Sequence, residues 1–204
     1  PGSIDVAMSD PSAHPPSRIL AAYTAGSALP TNFHPVHDIV FTAQCSNYPT
    51  LTASTPSSPT VALATLFEAC ASTSSTQTVP ITKVTLPAPQ SFNLLAQYLY
   101  HKRSERLLDS LLPCAAPAGF ELNQRRLAPA FMAHLARTFD EARLSSHAEL
   151  VRSVWANAHE MGVGDEIVWD VLDLAWEVLN GAMALKQESG SESSSDARAA
   201  SSTA

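Results

Sequence analysis

Any chemistry in this chain would have to come from a few histidines and cysteines. His34-x-x-His37-Asp38, with Cys45 downstream, carries the donor types of a transition-metal site. A structural zinc site needs two paired ligand clusters to close a tetrahedron, and no second pair follows. Solvated loop histidines are the expected reading. No Gly-x-Ser-x-Gly elbow is present, and Cys70 and Cys114 lack the flanking signature of a nucleophile. His134, His147 and His159 fall on predicted helices, as half-exposed side chains. A hydrolase would need a nucleophile, base and orienting group assembled only by the fold. The glycines are scattered, so no glycine-rich strand–helix junction offers a phosphate loop. The residues predict no catalytic centre, no metal site and no cofactor.

Other residues suit binding instead. Trp169 and Trp176 lie a heptad apart on a predicted helix, and Asp173, Trp176 and Glu177 fall near Trp169 on its wheel. Tryptophans at a rim are enriched in binding hot spots, and the acids would attract a basic partner. We expect this strip, with the exposed side of Phe92, Tyr98 and Tyr100, to contact a protein partner, against the alternative, favoured on burial alone, that one or both tryptophans belong to the core. Trp155, on the preceding helix, is expected to pack against the other tryptophans. Leu108-Asp109-Ser110-Leu111-Leu112 fits a Leu-x-x-Leu-Leu docking pattern, but the same leucines equally fill an amphipathic helix's own core, which is the favoured reading.

These residues sit in a chain of 204 residues, 45% hydrophobic and only 15% charged, with 15 prolines and 7 glycines. That is enough for one domain with a real core, diluted by Ser/Thr/Pro/Ala segments. A net charge of −7 argues against direct nucleic-acid contact, which needs clustered Lys and Arg. Three widely spaced cysteines suit a reducing compartment. No signal peptide or membrane-length apolar run is evident, so a nuclear or cytoplasmic protein is expected. Pro1-Gly2-Ser3, with no initiator Met, reads as the remnant of a cleaved tag on what would be a fragment.

The elements follow from periodicity. Residues 1–30 read as a disordered arm and 187–204 as a disordered Ser/Ala-rich tail, leaving 31–186 as a single globular interaction domain. The pattern predicts a strand over 37–43, a Pro/Ser/Thr loop over 50–59, and a helix over 60–70 through Leu63, Leu66, Phe67 and Cys70. A second strand over 79–86 ends at Pro87 and Pro89. Helices are predicted from 89 to 112, with Pro129 in a first turn ahead of the Phe131/Leu135/Phe139 stripe. A capping box at Ser146/Glu149 starts the next helix, and Gly162 stops it. A last helix opens near Asp165 and fades near Leu185. The predicted fold class is α+β, mainly helical, with a small sheet on helices and a C-terminal helical hairpin.

Leu86-Pro87-x-Pro89-x-x-Phe92-x-x-Leu95-x-x-Tyr98-Leu99-Tyr100, followed by Leu107-Leu108-x-x-Leu111-Leu112-Pro113, resembles the clampless family of basidiomycete developmental regulators. So does Trp155-x-Asn157-x-x-x-Met161-Gly162-Val163-x-Asp165-Glu166-x-Val168-Trp169-x-x-Leu172-Asp173-x-Ala175-Trp176-Glu177-x-Leu179. The resemblance spans roughly residues 81–184. It implies a non-catalytic regulator of clamp-cell formation and dikaryotic growth that binds transcription regulators of the mating-type pathway. It transfers no mapped binding residues. More distantly, His37-Asp38-Ile39-Val40-Phe41 and the Leu-Pro…Tyr-Leu-Tyr block look like parts of a BTB/POZ domain, which would imply a self-associating adaptor. The 50–59 loop replaces the strand and turn through which such domains dimerise, so a monomer is favoured.

Overall fold

The computed structural model describes residues 3–7, 14–48, 76–117, 120 and 125–201. The predicted loop over 50–59 and helix over 60–70 lie outside the described residues. The chain divides into two compact units where the sequence predicts one domain: residues 1–93 with 156–164, and residues 94–155 with 165–204. The fold class is α+β and mainly helical, as expected.

The first unit is built on a four-stranded sheet in the order β1-β4-β2-β3. Its strands are β1 (Ser3–Ala7), β2 (Arg18–Tyr23), β3 (Asn32–Val36) and β4 (Thr76–Thr85). The end of β4 keeps a period of two: Thr82 and Val84 are buried while Lys83 and Thr85 face out, and Leu86, just past the strand, is buried in turn. Lys83 Nζ sits 4.4 Å over the Tyr23 ring of the neighbouring strand. β2 pairs parallel with β4, Ile19 opposite Ile81, and antiparallel with β3, Leu20 opposite His34. This corrects the expectation of a disordered arm over 1–30. Leu20, Ala21 and Ala22 are all buried, because a central strand covered on both faces shows no alternation. Alanine's weak strand preference hid it further.

The predicted strand over 37–43 is instead helix α1 (Asp38–Gln44). A strand would bury Ile39 and Phe41 on one face. In the structure Phe41 is buried and Ile39 is 79% exposed. Phe41 turns inward from α1, and Cys45 and Tyr48, just past its end, are buried as well. Arg18 and the Asp38 carboxylate form a bidentate pair, Nε to Oδ1 at 2.9 Å and Nη2 to Oδ2 at 3.1 Å. Arg18 also donates to the buried Thr82 hydroxyl at 2.6 Å, and Tyr48 donates to Asp38. With the His37–Phe41 block helical, the strand half of the BTB-like resemblance is missing.

After Leu86, a single 3-10 turn (Pro89–Ser91) leads into helix α2 (Phe92–His101) and then α3 (Ser104–Leu111). In the second unit, Leu107, Leu108, Leu111 and Leu112 are all buried. The Leu-x-x-Leu-Leu pattern is therefore core. Helix α4 (Ala128–Thr138) carries Pro129 in its first turn and buries Phe131 and Leu135. Helix α5 (Glu141–Met161) starts five residues ahead of Ser146, because Asp140 is the cap: its Oδ1 accepts the Arg143 N–H at 2.8 Å. Ser146 and Glu149 are mid-helix. Helix α6 runs from Glu166 to Ser201, past the expected fade at Leu185 and through the expected tail, a stretch with no proline to break it.

One polar knot sets the start of α6. Lys102, at φ 54° just past α2, donates to Asp165 Oδ2 at 2.7 Å, and Tyr98 donates to the same oxygen at 2.9 Å. Burial by itself would raise the Asp165 carboxyl. The bonds from Lys102, Tyr98 and the Ile167 N–H outweigh that and hold it below its ordinary value. Burial first, and then Asp165, push the Tyr98 phenol far up. A carboxyl lowered in the folded state stabilises fully above its unfolded value, and loses that contribution as pH falls through the folded one. Asp165→Asn should therefore be less stable than the parent at pH 7. The gap should close in urea titrations as pH drops below about 4. A gap independent of pH would remove the carboxylate from this role.

Candidate interaction surface

Helices α5 and α6 lie antiparallel along residues 141–155. Gln187 meets Glu141 at 3.4 Å, Ser145 meets Met183 at 3.6 Å, and Trp155 meets Trp169 edge-on with ring centroids 6.1 Å apart. Partner numbers fall as the first numbers rise, which is the predicted helical hairpin. Where the helices face each other, a groove of 290 Å³ is lined by Val151, Arg152 and Trp155 from α5 and Leu172, Asp173 and Trp176 from α6. The walls follow from helix periodicity: Val151/Trp155 and Leu172/Trp176 are both i, i+4 pairs. Val151 and Leu172 are buried and form the floor, whereas Trp155 is 44% and Trp176 45% exposed. Arg152 and Glu149 form an exposed pair at 3.5 Å.

The predicted strip is thus divided. Trp169 is half-buried against Trp155, Asp173 and Trp176 line the groove, and Glu177 is exposed beyond it. Trp155, Arg152 and the apolar floor were not assigned to a surface from the sequence, although the two i, i+4 pairs could have found them. The other half of the expected surface does not hold. Phe92 is fully buried, Tyr98 is 3% exposed and Tyr100 is half-buried. Phe92 is core because it closes the aromatic cluster with Phe41, centroids 6.1 Å apart, and His34, 5.0 Å apart.

Among the described residues, which exclude Cys70, the histidines and cysteines are dispersed. Among the described residues no three His, Cys, Asp or Glu side chains converge as a metal site would require. His34 is half-buried with burial lowering its pKa, His37 contacts the His14 carbonyl at 3.3 Å, and Cys45 is buried. His147 Nδ1 lies 2.9 Å from the Leu111 carbonyl oxygen. Cys114 and His134 do line one cavity, an apolar one with Phe131 and Leu127. Burial and then the Asp109 charge push the Cys114 thiol up, away from the thiolate a nucleophile needs. The groove between α5 and α6 sets aromatic walls over an aliphatic floor, with one carboxylate and one guanidinium among its lining residues. Among the described residues no helix is long and apolar enough to cross a membrane.

Residues 1–87 match the family model of the Clampless protein 1 N-terminal domain, and residues 105–204 match that of the Clampless protein 1 C-terminal domain. Comparison with curated proteins and with solved structures finds no match.

Proposed function

The chain belongs to the clampless protein family, whose domains point to a regulatory role in clamp formation, and from that premise we propose that it acts without catalysis, by binding transcription regulators of the fungal mating-type pathway. The groove between Trp155 and Trp176 carries this reading. Two tryptophans, each nearly half exposed over an aliphatic floor, have the composition of a hot spot. Asp173 at the groove, with Asp170 and Glu177 exposed nearby, favours a partner bearing Lys or Arg.

The test is quantitative capture from a mating-competent fungal extract, with parent and Trp155→Ala/Trp176→Ala chains as bait. Bound transcription regulators should fall by about 30-fold, the loss of one strong hot spot. Asp173→Lys/Glu177→Lys should weaken the same partners, most at low salt. Equal capture by folded variants would remove this surface. A stable dimer in light scattering would favour the self-associating adaptor instead.

A further inference from the structure

The geometry points to a second binding site, a phosphate-accepting pocket at the α2–α3 corner that takes a phosphoserine or phosphothreonine side chain. A cavity of 450 Å³ opens there, lined by Gln97 and His101 from α2 and by Arg103, Arg106, Leu107 and Asp109 around α3. That volume lies in the range of small-ligand pockets.

Charge placement selects the ligand. The chain holds 19 Asp and Glu against 12 Lys and Arg, yet His101, Lys102, Arg103 and Arg106 fall within six residues. Lys102 is neutralised by Asp165. Arg103 and Arg106 have no acidic partner among the described residues, where the ion pairs are Arg18–Asp38, Lys102–Asp165 and Arg152–Glu149. Two unneutralised guanidinium groups beside one cavity, in an acidic protein, match a compact dianion that accepts bidentate hydrogen bonds. Gln97 and His101 add donors across the opening.

Asp109 decides between sources of phosphate. Its Oδ1 accepts the Ala116 N–H at 3.0 Å, which keeps a carboxylate on the wall. A nucleic-acid backbone would bring further phosphates toward that carboxylate and toward a chain of net −7. A phosphorylated peptide brings one dianion for the arginines and neutral N–H groups for Asp109. The site is separate from the tryptophan groove, and its test does not depend on what binds there.

The full chain, labelled for its arginine Nε–Hε signals, would be titrated with a short Gly/Ala-flanked phosphoserine peptide, its unphosphorylated twin, inorganic phosphate and a short DNA duplex. The phosphopeptide should move the Arg103 and Arg106 signals and bind at least about tenfold tighter than the twin. Arg103→Ala/Arg106→Ala should abolish binding without changing the melting temperature, since both side chains are exposed. Arg103→Lys/Arg106→Lys, which keeps the charge but loses the fork, should bind severalfold more weakly than the parent. Equal affinity for the twin, undiminished binding by the alanine variant, inorganic phosphate as tight as the phosphopeptide, or tighter binding of the duplex would each overturn the assignment.

Discussion

Replacing Asn157 with leucine should cost the protein about 3 kcal/mol, and about 6–12 °C in melting temperature for a chain of this size. Asn157 is fully buried, and its side chain does the work of a backbone. Oδ1 accepts the Ala88 N–H at 3.0 Å, while Nδ2 donates to the Ala88 carbonyl at 2.7 Å and to Ser91 Oγ at 3.1 Å. Those bonds hold the Leu86–Ser91 turn, where the prolines leave few N–H groups to organise the chain. Leucine has the same branched skeleton and is bulkier, so no cavity opens. The loss comes from burying the Ala88 N–H without a partner, about 1–3 kcal/mol, and from removing two further bonds, since Ser91 N–H and Oγ still reach the Ala88 carbonyl, each at 3.1 Å. Asn157→Asp retains the acceptor but buries a charge, and should be no better. Urea denaturation of both variants is the measurement. A midpoint within experimental error of the parent would mean that water replaces these bonds and the turn needs no clamp.

The second large effect is expected at Gly162. Its φ is +67°, where an L side chain is strained by about 1–2 kcal/mol. It ends α5 with a left-handed turn in which Val163 N–H donates to the Ala158 carbonyl at 3.0 Å. Space is short as well. A Cβ there would stand 2.2 Å from Ser46 Oγ and 3.1 Å from the Asn47 backbone nitrogen. Ser46 and Asn47 cannot retreat cheaply, because they satisfy the end of α5. Ser46 N–H donates to the Gly162 carbonyl at 2.9 Å, Asn47 N–H to Met161 at 3.1 Å, and Asn47 Nδ2 to Glu160 at 3.0 Å. Gly162→Ala should therefore lose more than the backbone term alone, about 3 kcal/mol with the clash included. Ser46→Gly should recover part of that loss in the double variant, because it removes the nearest atom. If Gly162→Ala alone melts within about 2 °C of the parent, under the shift that 1 kcal/mol would give, the contact is looser than described.

The parts legible from sequence are those governed by local rules. Gly162 as a stop, Pro129 in a first turn, Asp165 at the head of α6 and the α5–α6 hairpin follow from backbone sterics and the 3.6-residue period, which act within a few residues whatever surrounds them. Trp169 and Trp176 could be placed on one face for the same reason. Other features depended on partners far along the chain. β2 has no pattern of its own and exists because β3 and β4 cover its edges while both faces are buried. α1 displaced a plausible strand because the fold buries Phe41 and leaves Ile39 in solvent, a separation a strand would not give. Phe92 and Tyr98 looked like surface until the aromatic cluster and Asp165 claimed them. The basic corner at Arg103 and Arg106 has no distinguishing pattern in sequence; the fold commits Lys102 to Asp165 and opens a cavity beside the two arginines. Composition and period determined the α+β, mainly helical class and the helices between residues 89 and 185, but not the helix at Asp38–Gln44. Only tertiary structure decided which aromatic groups face solvent and which charges stay unneutralised, since burial and ion pairing are set by residues that no local window contains.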